Sequence, residues 1–518
     1  MKNKCLFFLP FLILLIFSLF TLKAVKEHSQ SWYFQDETEH LTLGWMMSEW
    51  GRGLYTDLSS NHQPLPILAG ALLAKYIPYN TIFILVERLR TSLWLFNVLI
   101  ALFLIYRFRY AGLLSAALLQ VASYYYFGYY LLAESLVAPV LLIHFLLLAS
   151  KVLPLKFKSK FWPANLDYLL FGLSSFGLIF NLMPLWPYIF LASLWYFLLA
   201  NKNGKLILIF SVLLSTLIMF VFVSPTAWYE ETIYHLTKYY IPQQISMTLS
   251  QKLQVFFYPL LTLAEWQNPV GKIWACLTLL AIVASFFYLK NKISLRKIFI
   301  LIALWILVLL ANNRTSDAPA AFYIGFHLYP LWAGLAALTS ILLFKNWGRH
   351  KLLMVLGCLL IGILFTQGTE WYRDSKDKMN EHEIQYGTWQ SYGSAIATLK
   401  TEGETLLTGP NGHGYMNMAG KIPIAGRQLF HLQWAYEIPK LENEWQRLMT
   451  ERPPEYIFFE FDGSGYANDL LKIIPQKYFR LYRTDGNATE LYLLKSAALQ
   501  KTEAQWEKFE FLYWKRPI

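Results

Sequence analysis

The stretch DETEHLTLGWMMSEWGRGLYTDLSSNHQPLP, residues 36–66, lies between the first apolar run of the chain and a long series of further apolar runs. It concentrates the following ionisable side chains: Asp36, Glu37, Glu39, His40, Glu49, Arg52, Asp57 and His62. Ionisable groups beside a bilayer are energetically costly, so a cluster of them indicates a functional site. We therefore expect the rest of the chain to hold this loop at a membrane surface.

The composition is that of a polytopic membrane protein. Of the 518 residues, 56% are hydrophobic and 15% are charged, with a mean hydropathy of +0.36. Average soluble domains are closer to a quarter charged. The net charge of +12 is carried by short loops between apolar runs, which argues against nucleic-acid binding and for a role in membrane topology. The three cysteines lack the spacing of a disulfide framework or a zinc site.

The apolar runs predict about eleven membrane-spanning helices. The first is expected at 5–22, because Lys23 and Lys26 follow where a signal peptide would have a small-residue cleavage site. Further runs lie at roughly 84–106, 111–128, 133–150, 166–182, 185–200, 206–223, 272–289, 297–311, 321–344 and 351–367. Basic residues concentrate in alternate loops, which predicts a cytoplasmic N-terminus. The loop at 23–83 and the C-terminal region then lie on the same, extracytoplasmic side.

The composition changes after Gln367, which predicts a membrane domain at 1–369 and an extracytoplasmic soluble domain at 370–518. Strands are predicted at 404–410, 456–461, 478–484 and 490–495. Helical patterns at about 437–450 and 465–473 separate several of these strands, which is typical of a small α/β domain. Gly409 to Gly412 predict a tight turn, since the glycine spacing of a dinucleotide-binding motif is missing.

Asp36 and Glu37 are candidate catalytic residues. On a helix that starts near Asp36, His40 would lie one turn further along on the same face. A carboxylate at the membrane surface can remove the proton of an attacking hydroxyl group. The alternative is a helix cap, since Asp36 followed by Glu39 has the form of a capping pair. The pattern leaves both interpretations open.

Glu134 is the second candidate carboxylate. It lies in the hairpin YYYFGYYLLAESLVAPVLL, at the external end of two predicted spans. A carboxylate at that depth must face water, protein or a ligand rather than lipid. The alternative is an ordinary helix-start residue. If Glu134 and Asp36 are on the same side of the membrane, the two carboxylates can converge.

His62 precedes a short apolar segment at about 64–77, which is predicted to lie in the membrane interface because it is too short to span. Pro64 and Pro66 suit a rigid, extended approach to that segment. His62 is interpreted either as a contact to a lipid phosphate or as a solvated loop histidine.

Three arginines are predicted near the external surface. Arg88 and Arg90 stand at the mouth of the second span, and Arg314 lies in the external turn NNRTSD. Their guanidinium groups are suited to bidentate phosphate binding, or to reaching the membrane surface from an apolar stem. The sequence leaves both interpretations open for Arg88 and Arg90. It favours phosphate binding for Arg314, because basic residues are scarce in the short external turns.

An ordered set of motifs resembles the GT-C membrane glycosyltransferases, in particular the protein O-mannosyltransferases and the bacterial transferases that move aminoarabinose onto lipid A. The motifs are Asp36-Glu37 followed by His40, GLYTD (53–57), HQPLP (62–66), ERLRTSLWLFNVLIAL (87–102) and LLAESL (131–136) with Glu134. They cover roughly residues 1–150, and the remainder is similar in architecture. Gln63 departs from the pattern, which has proline there.

The resemblance implies a GT-C fold and an inverting transfer from a polyprenyl-phosphate-linked sugar to an extracytoplasmic hydroxyl of a glycolipid, polysaccharide or protein. It makes Asp36 the general base or acceptor-orienting group, with Glu37 and Glu134 shaping the acceptor and sugar pocket. His62 takes the place of a lysine that contacts the lipid phosphate. The candidate substrate-binding residues are His40, Tyr55, Asp57, His62, Arg88 and Arg314.

The implied partners are the lipid-linked donor, the acceptor and membrane lipids in a plasma (inner) membrane, and nucleic acid is not among them. No cofactor motif and no metal-ligand set are evident in the sequence. One alternative is a lipid or sugar transporter, which would be expected to show internal repeats and charges at mid-membrane. Another is an oligosaccharide transferase or ligase of the same superfamily, for which sensitivity to chelators is the discriminating observation.

Overall fold

The computed structural model describes most of the chain, with gaps. The described residues are 2–28, 33–153, 162–244, 248–251, 253, 256–257, 269–290, 294–312, 327–346, 356–357, 360, 386–484 and 488–517. Over these residues the chain is mainly helical and contains one small sheet. Chain contacts divide it into two compact units. The first comprises Met1–Ser29, Leu89–Phe220 and Met247–Asp377, and the second comprises Gln30–Arg88, Val221–Ser246 and Lys378–Ile518.

The helices are numbered here in chain order. They are α1 (Lys2–His28), α2 (Gln35–Trp50), α3 (Pro64–Tyr76), α4 (Ile82–Phe108), α5 (Tyr110–Tyr125), α6 (Ala133–Val152), α7 (Ala164–Ile179), α8 (Trp186–Leu199), α9 (Lys202–Phe222), α10 (Pro225–Tyr229), α11 (Ile241–Gln244), α12 (Pro269–Lys290), α13 (Leu295–Leu310), α14 (Tyr329–Asn346), α15 (386–399), α16 (Gly414–Gly420), α17 (Gln433–Tyr436), α18 (Pro439–Glu451), α19 (Gly465–Lys477), α20 (Lys495–Ala498) and α21 (Glu503–Phe511). A 3₁₀ turn at Met183–Leu185 precedes α8, and π-helical turns at Glu230–Tyr234 and Leu236–Tyr240 lie between α10 and α11.

Several of these helices are suited to a membrane. Within the described ranges, four segments are long and apolar enough to cross one: Phe8–Glu27, Ile82–Phe108, Ala133–Val152 and Lys202–Phe222. Shorter apolar helices include Asn165–Ile179, Met183–Leu199, Ala275–Lys290 and Tyr329–Lys345. The chain is thus a multi-pass membrane protein. The total of about eleven spans remains a prediction, and most of the predicted run at 351–367 lies outside the described residues.

In the first unit, α14 is the most enclosed helix, and it packs against α5, α6, α12 and α13. Its small residues Ala333, Ala336 and Ala337 are fully buried. Small side chains let helix backbones approach closely, and in a membrane this close packing replaces the hydrophobic driving force. The first unit is therefore built around a helix whose sequence permits tight packing.

The second unit contains the loop that was quoted first. Its helices α2 and α3 pack together at two glycines. A Cβ atom on Gly44 would overlap the backbone nitrogen of Ala71, and one on Gly70 would overlap the carbonyl oxygen of His40. The predicted segment at 64–77 is the helix α3, with Pro64 at its first position after an extended Gln63. This close crossing places the backbone of His40 directly against α3.

The C-terminal part of the second unit contains a five-stranded sheet of order β1-β2-β4-β3-β5. The strands are β1 (Leu406–Gly409), β2 (Tyr456–Phe459), β3 (Tyr478–Arg483), β4 (Ala488–Leu494) and β5 (Trp514–Lys515). β1 and β2 are parallel, and the other pairs are antiparallel. All four predicted strands are present, and α18 and α19 occupy the two predicted helical segments. The short β5 was not predicted. The boundary of a separate extracytoplasmic domain at residue 370 stays a prediction.

Candidate active site

The site is built in the second unit around the first turn of α2. Asp36 and Glu37 lie in that turn, but the N-cap residue is Phe34, and no side chain caps the helix. The interpretation of Asp36 and Glu39 as a capping pair is therefore wrong. The carboxylates of Asp36 and Glu39 are therefore available for other contacts. Glu39 points into the protein, and its side chain is only 8% exposed.

His62 is where the polar side chains of α2 meet. Its Nε2 atom lies 3.3 Å from Glu39 Oε2 and 4.0 Å from Asp36 Oδ1. The rings of His40 and His62 are 4.7 Å apart in an edge-to-face arrangement. Spacing of one helical turn along α2 thus brings residues 36, 39 and 40 to a single imidazole. The His62 side chain is 25% exposed, so solvent and small molecules reach it.

The backbone of His62 is fixed on both sides. Its N–H group donates a 3.1 Å hydrogen bond to Ser60 Oγ, and its carbonyl oxygen accepts a 2.6 Å hydrogen bond from the Tyr55 hydroxyl. Ser60 Oγ in turn donates a 2.6 Å hydrogen bond to Glu39 Oε1. The imidazole, the amide and the carbonyl of His62 are therefore each held by a side chain from the same stretch of sequence, namely Glu39, Ser60 and Tyr55.

The two carboxylates beside His62 differ in acidity. Burial raises the pKa of Asp36 above its ordinary value, the positive charge of His62 opposes this, and the charge of Glu39 adds to it. Because 40% of the Asp36 side chain is exposed, solvent moderates these effects. Burial alone would also raise the pKa of Glu39, but the charge and hydrogen bond of His62, aided by His40 and Ser60, lower it below the ordinary value. Glu39 is thus the stronger acid, and Asp36 the better proton acceptor.

Glu37 points in another direction. It is fully buried, and its Oε2 atom lies 3.5 Å from the hydroxyl of Tyr415 on α16. Tyr415 belongs to an aromatic group with Tyr33 and Trp389, in which the rings of Tyr33 and Trp389 are 4.5 Å apart. The C-terminal part of the chain therefore supplies one wall beside Glu37.

Tyr55 adopts a φ of +65°, a left-handed conformation that costs about 1–2 kcal/mol for a residue with a Cβ atom. Its carbonyl oxygen accepts a 2.7 Å hydrogen bond from Arg427 Nη2, and the same nitrogen donates to Glu231 Oε1 at 2.9 Å. Glu231 is buried in a π-helical turn and also accepts a 2.8 Å hydrogen bond from Ser59. These contacts offset the cost of the strained conformation.

Asp57 and Arg88 make local contacts. Asp57 Oδ2 accepts a 2.8 Å hydrogen bond from the backbone nitrogen of Gly53, which closes the turn at 53–57. Arg88 is exposed and donates to the carbonyl oxygen of Pro78. Each of these side chains stabilises the turn next to it, and Arg314 lies outside the described residues.

Glu134 belongs to the first unit, in the first turn of α6. It is buried, and its Oε1 atom lies 3.9 Å from Nε2 of His327. Arg90, in the same unit, is 1% exposed, with its guanidinium carbon 3.6 Å from the centre of the Tyr130 ring. Arg90 is therefore enclosed by the protein and packs against an aromatic ring. A convergence of Glu134 with Asp36 stays a prediction.

Glu231, Arg427 and Tyr415 were not predicted from the sequence as site residues. Glu231 and His235 share the i, i+4 spacing of a helical pair, a signal that marks a local contact only. Among the residues that the structure describes, no three His, Cys, Asp or Glu side chains converge as metal ligands.

Comparisons with known proteins give a match by structure and none by sequence. No protein-family model matches the chain, and no curated protein matches it. The structure is similar to that of ArnT. One matching structure is the crystal structure of ArnT from Cupriavidus metallidurans in the apo state, with 11% sequence identity, a TM-score of 0.48, and coverage of 92% of this chain and 96% of that one. ArnT is a lipid A aminoarabinose transferase, one of the group that the motifs of the first loop resemble.

Proposed function

We propose that the chain is an inverting membrane glycosyltransferase that moves a sugar from a polyprenyl-phosphate-linked donor to an acceptor hydroxyl. The observation that carries the proposal is the approach of Asp36 Oδ1 to within 4.0 Å of His62 Nε2 at the start of α2. Such a transfer needs a base for the hydroxyl and a positive group near the leaving phosphate. The apolar helices support a donor that resides in the membrane.

In the proposed reaction, the acceptor oxygen attacks the anomeric carbon from the side opposite the phosphate. The new carbon–oxygen bond forms as the bond to the phosphate oxygen breaks, so the configuration at this carbon inverts. Asp36 takes the proton of the hydroxyl, and polyprenyl phosphate leaves with the bonding electron pair. The protonated imidazole of His62 offsets the negative charge that develops on the leaving oxygen. The raised pKa of Asp36 makes it a stronger base than an ordinary aspartate.

Glu37 and Glu134 shape the acceptor and sugar pocket in this proposal. This assignment rests on the resemblance; in the structure Glu37 lies 3.5 Å from the Tyr415 hydroxyl, and Glu134 lies 3.9 Å from His327 Nε2. His40 lines the site beside His62, and Tyr55 acts by positioning the His62 carbonyl. The role of Arg314 in binding phosphate rests on the sequence alone.

The proposed location is the plasma membrane, with the N-terminus in the cytoplasm and the site outside it. The distribution of Lys and Arg among the loops supports this orientation. The acceptor is a hydroxyl of a glycolipid, a polysaccharide or a protein, and the transferred sugar is a hexose or a pentose.

The test is transfer from a panel of radiolabelled polyprenyl-phosphate sugars by membranes that contain the protein. Asp36→Asn should lower the rate by about 10²–10⁴-fold, whereas Glu49→Gln, which removes an exposed carboxylate from the same helix, should leave it unchanged. Full transfer by Asp36→Asn would exclude Asp36 as the base. Movement of the labelled sugar across the membrane without attachment to an acceptor would favour a transporter.

Adding a chelator to the same assay tests the remaining alternative, an oligosaccharide transferase that depends on a metal. Transfer that persists in excess EDTA is expected for a mechanism based on Asp36 and His62. Loss of transfer that is restored by a divalent cation would instead favour a metal-dependent oligosaccharide transferase.

A further inference from the structure

Glu39 has no role in the reaction just described, although its carboxylate is nearer to His62 than that of Asp36. It is buried, whereas an unpaired buried carboxylate would cost several kcal/mol. Two groups compensate: the Ser60 hydroxyl at 2.6 Å and the His62 ring at 3.3 Å. The Glu39–His62 pair is therefore an interaction of a buried carboxylate, rather than a contact between two solvated side chains.

His62 on its own is poorly suited to act as a cation. A solvated histidine has a pKa of about 6.5, so most of its molecules are neutral at pH 7.5 and carry no charge to offset a leaving phosphate. A buried carboxylate next to one ring nitrogen favours the protonated ring, because loss of the proton would leave the carboxylate without its partner.

We propose that Glu39 is a positioning residue that keeps His62 protonated and orients its ring beside Asp36. Ser60 supports both members, since its hydroxyl donates to Glu39 and accepts from the His62 amide. When Asp36 takes a proton during transfer, its negative charge disappears. The Glu39–His62 pair remains, with its positive member beside the reacting groups.

Other titratable groups also lie around His62. His40 on α2 faces the ring edge-on, and Tyr55 reaches the His62 carbonyl. Tyr240 lies at the end of a π-helical turn. Burial raises its pKa, and the charge of the nearby Asp36 raises it further. Glu39 and Asp36 are carboxylates that face the imidazole, and Glu39 is the nearer of the two.

The inference rests on the proposed function for its purpose, but its first test does not need transfer activity. Diethyl pyrocarbonate modifies only the unprotonated imidazole, and the 25% exposed side chain of His62 admits it. The rate of modification at His62 is followed by peptide mass spectrometry as a function of pH, in the full-length protein in lipid nanodiscs. Glu39→Gln should lower the midpoint by about one pH unit or more, and the exposed Glu49→Gln should not move it. Equal midpoints in the wild type and Glu39→Gln would overturn the inference.

A second test uses a permanently charged side chain. Glu39→Gln should lose transfer above neutral pH, and His62→Lys in the same chain should restore it, because a lysine stays protonated without Glu39. A double variant that is as inactive as Glu39→Gln, with an unchanged thermal unfolding midpoint, would show that Glu39 does not act through the charge of His62. If the wild type transfers none of the donors, the proposed function fails, while the modification experiment still decides the role of Glu39.

Discussion

Arg427 Nη2 donates a 2.7 Å hydrogen bond to the carbonyl oxygen of Tyr55, which lies 372 residues earlier in the chain. The Tyr55 hydroxyl donates in turn to the carbonyl oxygen of His62. A guanidinium group from the C-terminal region of the sequence thus reaches the candidate site through one intervening residue. The same guanidinium pairs with Glu231 and with Glu444, at 2.9 Å and 3.0 Å.

Arg427→Ala is expected to destabilise the protein by about 3–5 kcal/mol, because it leaves the buried Glu231 carboxylate without its main cation. Chemical unfolding of the detergent-solubilised protein, followed by tryptophan fluorescence, measures the loss. Arg447→Ala removes an exposed arginine from the neighbouring helix α18 and is the matched control. Equal unfolding midpoints for the two variants would show that the Arg427 contacts contribute nothing to stability.

Stability should fall on acidification, and Glu231 should account for part of the loss. Burial alone would raise the pKa of Glu231, but the hydrogen bond of His235, the charge of Arg427 and the hydrogen bond of Ser59 lower it below 4.5. A carboxyl with a lowered pKa stabilises the fold above its unfolded-state pKa and loses that contribution as the pH falls through the folded-state value. Thermal unfolding between pH 7 and pH 3 measures the slope. Glu231→Gln should show a shallower slope below pH 4.5, and an unchanged slope would contradict the assignment.

The activity should have an acidic limb at a higher pH than an ordinary aspartate would give. Asp36 must be ionised to accept a proton, and its pKa is raised by burial while His62 opposes the rise. As the pH falls, transfer is therefore lost before the ordinary aspartate value of 3.8 is reached. His62→Gln removes the opposing charge and should move this limb to still higher pH. If the acidic limb of His62→Gln, measured with the same donor, stays at the wild-type pH, then the charge of His62 does not affect the ionisation of Asp36.

Gly70→Ala should disturb the crossing of α2 and α3, since the added Cβ atom would overlap the carbonyl oxygen of His40. Overpacking of this kind costs about 1–3 kcal/mol, and here it would also displace the helix that carries Asp36. Gly387→Ala is the control, because a Cβ atom at that helical position meets nothing within 4 Å. The thermal unfolding midpoint should fall in the first variant alone. A fall in transfer without a fall in stability would instead point to the site geometry.

The local patterns of the sequence predicted much of this structure. Four of the predicted apolar runs coincide with described helices that are long enough to cross a membrane, and the four predicted strands are present. The one-turn spacing predicted that Asp36 and His40 share a face of α2, and in the structure both face His62. These features depend on residues that are close in sequence, where periodicity is informative. The capping interpretation of Asp36 and Glu39 was wrong, because the tertiary partners of Glu39 outweigh a local cap.

The remainder of the site depends on pairings between distant segments. Nothing in the sequence around Arg427 or Glu231 indicates that they meet at the carbonyl of Tyr55, since an arginine and a glutamate in amphipathic surroundings usually lie on a solvated face. Tyr415 beside Glu37 is a similar case. Their roles follow from the topology of the second unit, which brings together three separate stretches of chain.

The strained turn at Tyr55 also sets an order of events during biosynthesis. The residues of this turn are synthesised early. Arg427, whose side chain donates to the Tyr55 carbonyl oxygen, is added 372 residues later. Every apolar helix between them is therefore synthesised before Arg427 can bind the carbonyl oxygen of Tyr55. A chain that terminates before residue 427 carries its carboxylates and its membrane helices but lacks the guanidinium that fixes the loop. Unfinished chains are accordingly expected to hold the Tyr55 turn, and the His62 carbonyl that Tyr55 contacts, less firmly than the finished protein does.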